Sequence, residues 1–246
     1  MLKKALSRYS SDPDERRSAR WRRLHKNARR DDFQVYRPHL IWPSNERFRQ
    51  ASAAWKAVPG LPDDRRFFLL GTAAGVRGVA GDTADIGVRF GTSSYFILCG
   101  IDDAGKQHHL FDSFEGLSEP TTEDRGAGGH AAWKQGQLLA EEQVTQKNLH
   151  MYEDRCRYYK GWVPARFPEV QDRSFAFVHI DVDLYQPTRD TLDFFYPRVN
   201  PGGVIVCDDY GSTLCPGARK AMDDFMADKP EAIFQIPTGQ ALVVKR

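Results

Sequence analysis

Four aspartates stand where two apolar runs end, and they carry most of the chemistry this chain discloses. Phe177-Val178-His179-Ile180 stops at Asp181 and Asp183, and Gly203-Val204-Ile205-Val206-Cys207 stops at Asp208 and Asp209. Runs rich in Val and Ile, bounded by Pro, Gly and Asp, are the sequence form of strands buried on both faces of a parallel sheet. Carboxylates at such strand ends lie on the rim where open α/β sheets bind ligands. Two residues apart on extended chain, Asp181 and Asp183 point to one side with Cα atoms roughly 7 Å apart, and Asp208 and Asp209 lie about 5 Å away if the two strands are neighbours. Like charges so gathered are costly without a cation. Oxygen donors with no thiolate or histidine cluster point to Mg²⁺, Ca²⁺ or Mn²⁺ rather than Zn²⁺. One such acid alone is better explained as a helix cap or a salt-bridge partner of Arg189, Arg198 or Arg219; four at two adjacent strand ends favour the metal. His179, mid-strand, reads as a satisfied core histidine rather than a ligand.

A second constellation lies upstream. Asp85-Ile86-Gly87-Val88-Arg89-Phe90-Gly91 puts an acid and two glycines at a strand-to-helix turn. Glycines allow a sharp turn and a close ligand approach. The GxxxG spacing is not the dinucleotide fingerprint, and by itself a tight turn packed under a helix explains it as well. Asp112 ends the next strand about 20 residues on, the offset at which nucleotide-binding α/β domains set an acid against a ribose diol; a helix N-cap is its alternative. Asp85 can accept from a ligand amine, and no Lys/Arg cluster awaits a pyrophosphate. An adenosyl group with a cationic tail therefore fits better than NAD.

The elements that must position these groups alternate. Helix is expected over 66–79, strand over 83–88, and helix from Thr92, with Ser93 and Ser94 near its start. A strand follows over 108–111, helix over 141–152, and strands over 155–159, 177–182 and 204–207, with helices over 189–196 and 219–228. Two last strands, 232–236 and 240–244, flank Pro237-Thr238-Gly239, a hairpin signature. The pattern predicts an α/β fold: a Rossmann-like, mostly parallel sheet with an antiparallel C-terminal hairpin and helices on both faces. Residues 1–65 read as a basic helical extension broken at Pro13, Pro38, Pro43 and Pro59, and residues 66–246 as the main domain. Residues 116–141, polar and rich in glycine, read as a lid or a disordered segment.

Composition bounds the remaining classes. A chain of 246 residues can bury one substantial core. No apolar run approaches the roughly 18 residues of a membrane span, and the N-terminus lacks a signal-peptide core. Four scattered cysteines without a CxxC pair read as free thiols in a reducing cytoplasm. Residues 1–30 hold eleven Lys/Arg against three acids, a local charge of +8 within a net +2. Such an arm can bind nucleic acid; its arginines are not interleaved with aromatic residues in the way single-strand binders stack bases, so a solvated helix packing through Trp21 and Leu24 is the preferred reading, and no nucleic-acid partner is expected.

The turn DIGVRFG, the strand end LFDSFEGL (110–117), Lys160-Gly161-Trp162, HIDVDLY (179–185) and PGGVIVCDDYG (201–211) together resemble the macrocin O-methyltransferase family from about residue 66 onward. HIDVDLY followed by DDYG is the specific part; the glycine turn is common to most class I methyltransferases. The resemblance implies a metal-dependent sugar O-methyltransferase using S-adenosylmethionine. It implies Asp181, Asp208 and Asp209 as ligands of Mg²⁺ or another hard divalent cation, and Asp183, beside Asp181, as the catalytic base or its positioner. It places Asp85, Gly87, Gly91, Asp112, Ser113, Gly161 and Trp162 around the cofactor and makes 116–141 a mobile lid. The acceptor is expected to be a glycan or small-molecule hydroxyl, and a homodimer is the expected assembly. Asp85 stands where the family usually has Glu, so its shorter side chain reaches the cofactor's amino acid end only through water. Two other classes compete: a DxD-type nucleotide-sugar glycosyltransferase, which leaves the Asp208-Asp209 pair unexplained, and a non-catalytic Rossmann-like binding module, which leaves the acids idle.

Overall fold

The computed structural model describes residues 42–246. The basic arm, its expected packing through Trp21 and Leu24, and the breaks at Pro13 and Pro38 lie outside the described residues. Residues 42–65, assigned to the extension above, pack into the main core: helix α1 (Glu46–Ala54), started by the Asn45 side chain accepting from the Phe48 amide, buries Phe48 and Ala51, and Trp55 follows it inside.

The chain then runs through α2 (Asp63–Gly75), β1 (Asp82–Ile86), α3 (Thr92–Ile101), β2 (His108–Asp112), α4 (Glu142–Asn148), β3 (Cys156–Lys160), β4 (Phe175–Ile180), α5 (Tyr185–Phe195), β5 (Val199–Cys207), α6 (Pro216–Met226), β6 (Phe234–Gln235) and β7 (Ala241–Val244). The strands form one seven-stranded sheet in the order β3-β2-β1-β4-β5-β7-β6. β1 to β5 pair in parallel, while β7 pairs antiparallel with β5 and β6. The expected topology is therefore present, and β4 and β5 are neighbours. Chain direction reverses its winding between β1 and β4, the crevice where such sheets bind ligands.

Period-two alternation sends each strand's side chains to two cores. Val204 and Val206 of β5 join Phe177, Phe96 and Leu69 on the face covered by α1, α2 and α3, whereas Ile205 and Cys207 join Val178, Phe195 and Met222 beneath α5 and α6. With every residue of β4 buried, the continuous apolar run is explained. Helix α5 begins at Tyr185, earlier than expected, and Pro187 falls inside its first turn. No intrahelical partner awaits that missing N–H.

Candidate functional site

A cleft of about 680 Å³ opens at the carboxyl ends of the parallel strands, and both sequence constellations contribute to its wall. Gly87, with φ of +89°, leaves β1 so close to β4 that an added Cβ would meet the Asp181 carbonyl oxygen at 1.8 Å. Only glycine lets these two strand ends lie together. The turn continues through Arg89 to Gly91, also at positive φ, which starts α3. Asp112 locks this turn: its Oδ2 accepts the Arg89 amide at 2.8 Å and its Oδ1 the Phe114 amide at 2.7 Å. Burial outweighs these bonds and raises its pKa. It is a clamp for the glycine turn and not the helix cap that was its alternative, and it still faces the cleft with lone pairs to offer a diol.

Ser113 and Trp162 also line the cleft. The Ser113 hydroxyl donates to the Gly116 carbonyl at 2.8 Å. Gly161 lies behind the wall, its amide donating to the Asp112 carbonyl at 2.9 Å. Asp85 does not reach the cleft. It is fully buried beneath α3, where Ser93 and Ser94 donate to its Oδ2 at 2.7 and 2.5 Å and His179 Nδ1 contacts its Oδ1 at 2.8 Å. An acid with no exposed oxygen has nothing left for a ligand amine, even through water. Its reading as a cofactor contact gives way to a supporting one.

At the other end, one carboxylate oxygen each from Asp181, Asp208 and Asp209 lies within 4.8 Å of the others, and Asp183, Asp209 and Cys215 form an adjoining group on the same terms. Strand alternation does not bring Asp181 and Asp183 there, as expected above, because β4 ends at Ile180 and Asp183 adopts φ of +60°. That left-handed residue turns its amide onto Asp209 Oδ2 at 3.1 Å and its Oδ1 toward the Cys215 thiol at 3.3 Å. Burial and the neighbouring carboxylates hold Asp181 and Asp209 well above the usual carboxylate range. Burial likewise raises Asp183, to about 6. Asp208 moves the other way: burial is outweighed by the His179 hydrogen bond and by the charges of His179 and Arg65. His179 is thus the satisfied core histidine expected, set between Asp85 and Asp208 and held in its charged form against burial.

The donor set fits a hard divalent ion. It is all carboxylate oxygen, it converges, and at two of its members burial and mutual repulsion outweigh the cations the protein supplies. Of the cations weighed as salt-bridge partners, Arg189 pairs with Asp193, while Arg198 and Arg219 donate to backbone carbonyls. Among the described residues, the arginine ion-paired with these acids is Arg65, bound to Asp208 across 143 positions of chain. Nothing in its local sequence marks it. Gln240, donating to Asp208 Oδ1 at 2.6 Å, is equally silent. Trp133, from the 116–141 segment, donates to the Cys215 sulfur at 3.3 Å, and Asp124 of the same segment accepts the Tyr185 amide at 2.7 Å. The segment is therefore tied to α5 and α6, with its ends in the cleft wall.

This sheet order, with a cleft at the carboxyl rim joining a glycine turn to an acid cluster, is the Rossmann-like architecture of class I methyltransferases. The calicheamicin methyltransferase CalS11 shares it, with a TM-score of 0.60 over 96% of this chain and 94% of that one, at 20% identity. Nearer in sequence is the O-methyltransferase NovP, at 26% identity and a TM-score of 0.61, covering 74% of this chain and 80% of that one. The chain belongs to the macrocin O-methyltransferase family, whose model matches residues 71–236. It is 32% identical over 161 residues, 60% of its length, to the 8-demethyl-8-(2,3-dimethoxy-alpha-L-rhamnosyl)-tetracenomycin-C 4'-O-methyltransferase of Streptomyces olivaceus. It is also 32% identical over 158 residues to the demethyldecarbamoylnovobiocin O-methyltransferase of Streptomyces niveus. The match spans 59% of the length of each of these two relatives.

Proposed function

We propose that this protein methylates a hydroxyl of a sugar carried on a natural product or glycan, using S-adenosylmethionine and a hard divalent cation, Mg²⁺ in the first instance. One observation carries the reading: a single cleft has a diol-accepting acid at one end and a cation-deficient carboxylate cluster at the other. The family and the activities named for its relatives support it.

S-adenosylmethionine, when bound, supplies a methyl group already activated by its sulfonium. The divalent ion, when bound by Asp181, Asp208 and Asp209, supplies positive charge that lowers the acceptor hydroxyl's pKa and fixes its oxygen. Asp112 holds the ribose hydroxyls with lone pairs left over from the Arg89 and Phe114 amides. Gly87 keeps the cofactor side of the wall free of a side chain, while Gly91 packs against Leu149 and Thr145 behind it and shapes the turn. Asp183, raised to about 6, stays ionised at neutral pH yet is basic enough to take the acceptor's proton on its carboxylate. Trp133, Trp162 and Leu138 give the cleft an apolar wall for sugar C–H faces, and 116–141, held by Asp124 and Trp133, screens that side of the cleft from water. Seven acids against two arginines around the described lining disfavour a diphosphate donor, so the glycosyltransferase alternative is not carried forward.

The same reading includes a cytoplasmic enzyme and a homodimer. Unpaired cysteines fit a reducing compartment. No helix among the described residues is long and apolar enough to cross a membrane. Sedimentation tests the dimer. The activity is tested with methyl-labelled S-adenosylmethionine and a panel of deoxysugar glycosides, with and without EDTA. Label in the acceptor only when Mg²⁺ is restored is the expected result; label transferred equally well in chelator removes the cation, and no transfer to any sugar removes the acceptor class.

A further inference from the structure

We propose that Arg65 is an exchangeable internal counter-ion of the acid cluster, and that its ion pair with Asp208 and the binding of a divalent cation exclude one another. The inference rests on the divalent-cation reading above and concerns which atom the cation must win.

Asp208 has two carboxylate oxygens. Oδ1 already receives Gln240 Nε2 at 2.6 Å and faces His179 Nε2 at 3.4 Å, both fully buried partners. Oδ2 is the oxygen left for a ligand, and Arg65 Nη1 holds it. A guanidinium and a divalent ion cannot share one oxygen at contact distance without strong repulsion. Arg65 also confronts Asp209 and Asp181, so it sits where the cluster's charge converges.

The arginine is built to leave. It is the third residue of α2, a fifth of its side chain is exposed, and its other anchor is one neutral hydrogen bond, from Nε to the Thr238 carbonyl at 3.2 Å. Arg65 and the preceding Pro59-Gly60-Leu61-Pro62 loop both line the cleft, so a displaced side chain has open volume to enter. His179 is not a competitor of this kind, since it is enclosed on both sides by carboxylates and has no route out. Arg65 therefore stabilises the metal-free cluster and opposes metal entry by the same contact, and the coupling is reciprocal.

The test is calorimetric titration of metal-free wild type, Arg65→Gln and Arg65→Lys with Mn²⁺, alongside NMR of the arginine Nε–H signals of the wild type during a Mg²⁺ titration. Competition for one oxygen predicts that Arg65→Gln binds Mn²⁺ roughly 5- to 100-fold more tightly, the range of a coupling of this kind. Arg65→Lys, which keeps a positive charge, should stay nearer the wild type. The Arg65 Nε–H signal should shift as Mg²⁺ saturates, a readout that needs no variant to fold. Binding in Arg65→Gln alone also supports the exchange. Equal or weaker binding in Arg65→Gln, or an Arg65 signal unmoved at saturation, overturns it and leaves the cation site standing. Absence of binding in every form overturns the cation reading and this inference with it.

Discussion

Asp85, on β1, and Asp209, two residues past the end of β5, are both buried acids beside β4, and the protein treats them in opposite ways. Asp85 has two serine hydroxyls and a charged imidazole aimed at it; burial alone would raise its pKa, but His179 and Ser94 bring it below the ordinary value. Asp209 receives the Asp183 amide and feels the charge of Arg65, but burial and the charges of Asp183 and Asp208 outweigh both and hold it well above. The first is a structural charge whose partners the chain supplies. The second is a charge left for something that arrives. The difference separates scaffold from site more sharply than burial does, since burial is common to both.

The widest gap between the two should appear when each is neutralised. Asp183→Asn, on the Asp209 side, should reduce turnover about 10²- to 10⁴-fold, as loss of a general base does. Its melting temperature should hold or rise, because one repelling charge has gone. A melting temperature that collapses together with activity would place Asp183 with the scaffold. On the other side, Asp85→Ala leaves His179 charged and half-paired and should destabilise the fold by about 3–5 kcal/mol in urea unfolding. If that variant is as stable as wild type and merely binds S-adenosylmethionine poorly, Asp85 is a ligand contact after all and the comparison fails.

How much of this could be read from the chain depends on sequence distance. β4 and β5 were legible because strands buried on both faces leave continuous Val/Ile runs, and the aspartates were legible because they end them. The glycine turn and Asp112 were legible through their spacing. Asp183's position was not: it turns on a left-handed backbone conformation that an aspartate seldom adopts and no pattern announces. Arg65 was hidden because an ion pair across 143 positions leaves no local trace, and Asp85's place beneath the cleft because its donors come from the next helix inward. Strand periodicity reports which face a residue takes; it does not report who waits there.

Adding a divalent cation should act on one side of the comparison only. Mg²⁺ at 100 times its Kd should stabilise the wild type by about 2.7 kcal/mol, measured as a shift in the urea midpoint. The shift should disappear in Asp209→Asn. A shift of equal size in Asp209→Asn would put the ion elsewhere.

The mildest consequence is a pH profile of stability whose two limbs belong to the two kinds of acid. Asp183 has a folded pKa of about 6 against an ordinary 3.8, so between those values the folded state holds more protons than the unfolded state. Stability must then fall as pH rises through that window, and Asp181 and Asp209, raised by burial and by neighbouring acids, add to the fall. Asp85 and Asp208 are lowered, so their contribution is complete above the ordinary carboxylate value and is lost as pH drops through their folded values. His108, buried in its neutral form and lowered to about 3, works against that fall by adding stability as pH rises toward 6.5, so the cluster is read from the difference between metal-free and Mg²⁺-saturated protein. The melting-temperature gain from Mg²⁺ should widen from pH 4 to 7, because the ion offsets the charge that deprotonation adds to the cluster while His108 and Asp85 titrate alike with and without it. A Mg²⁺ gain independent of pH over that range would mean the cluster carries no unrelieved charge, and the distinction between its acids and Asp85 would be lost.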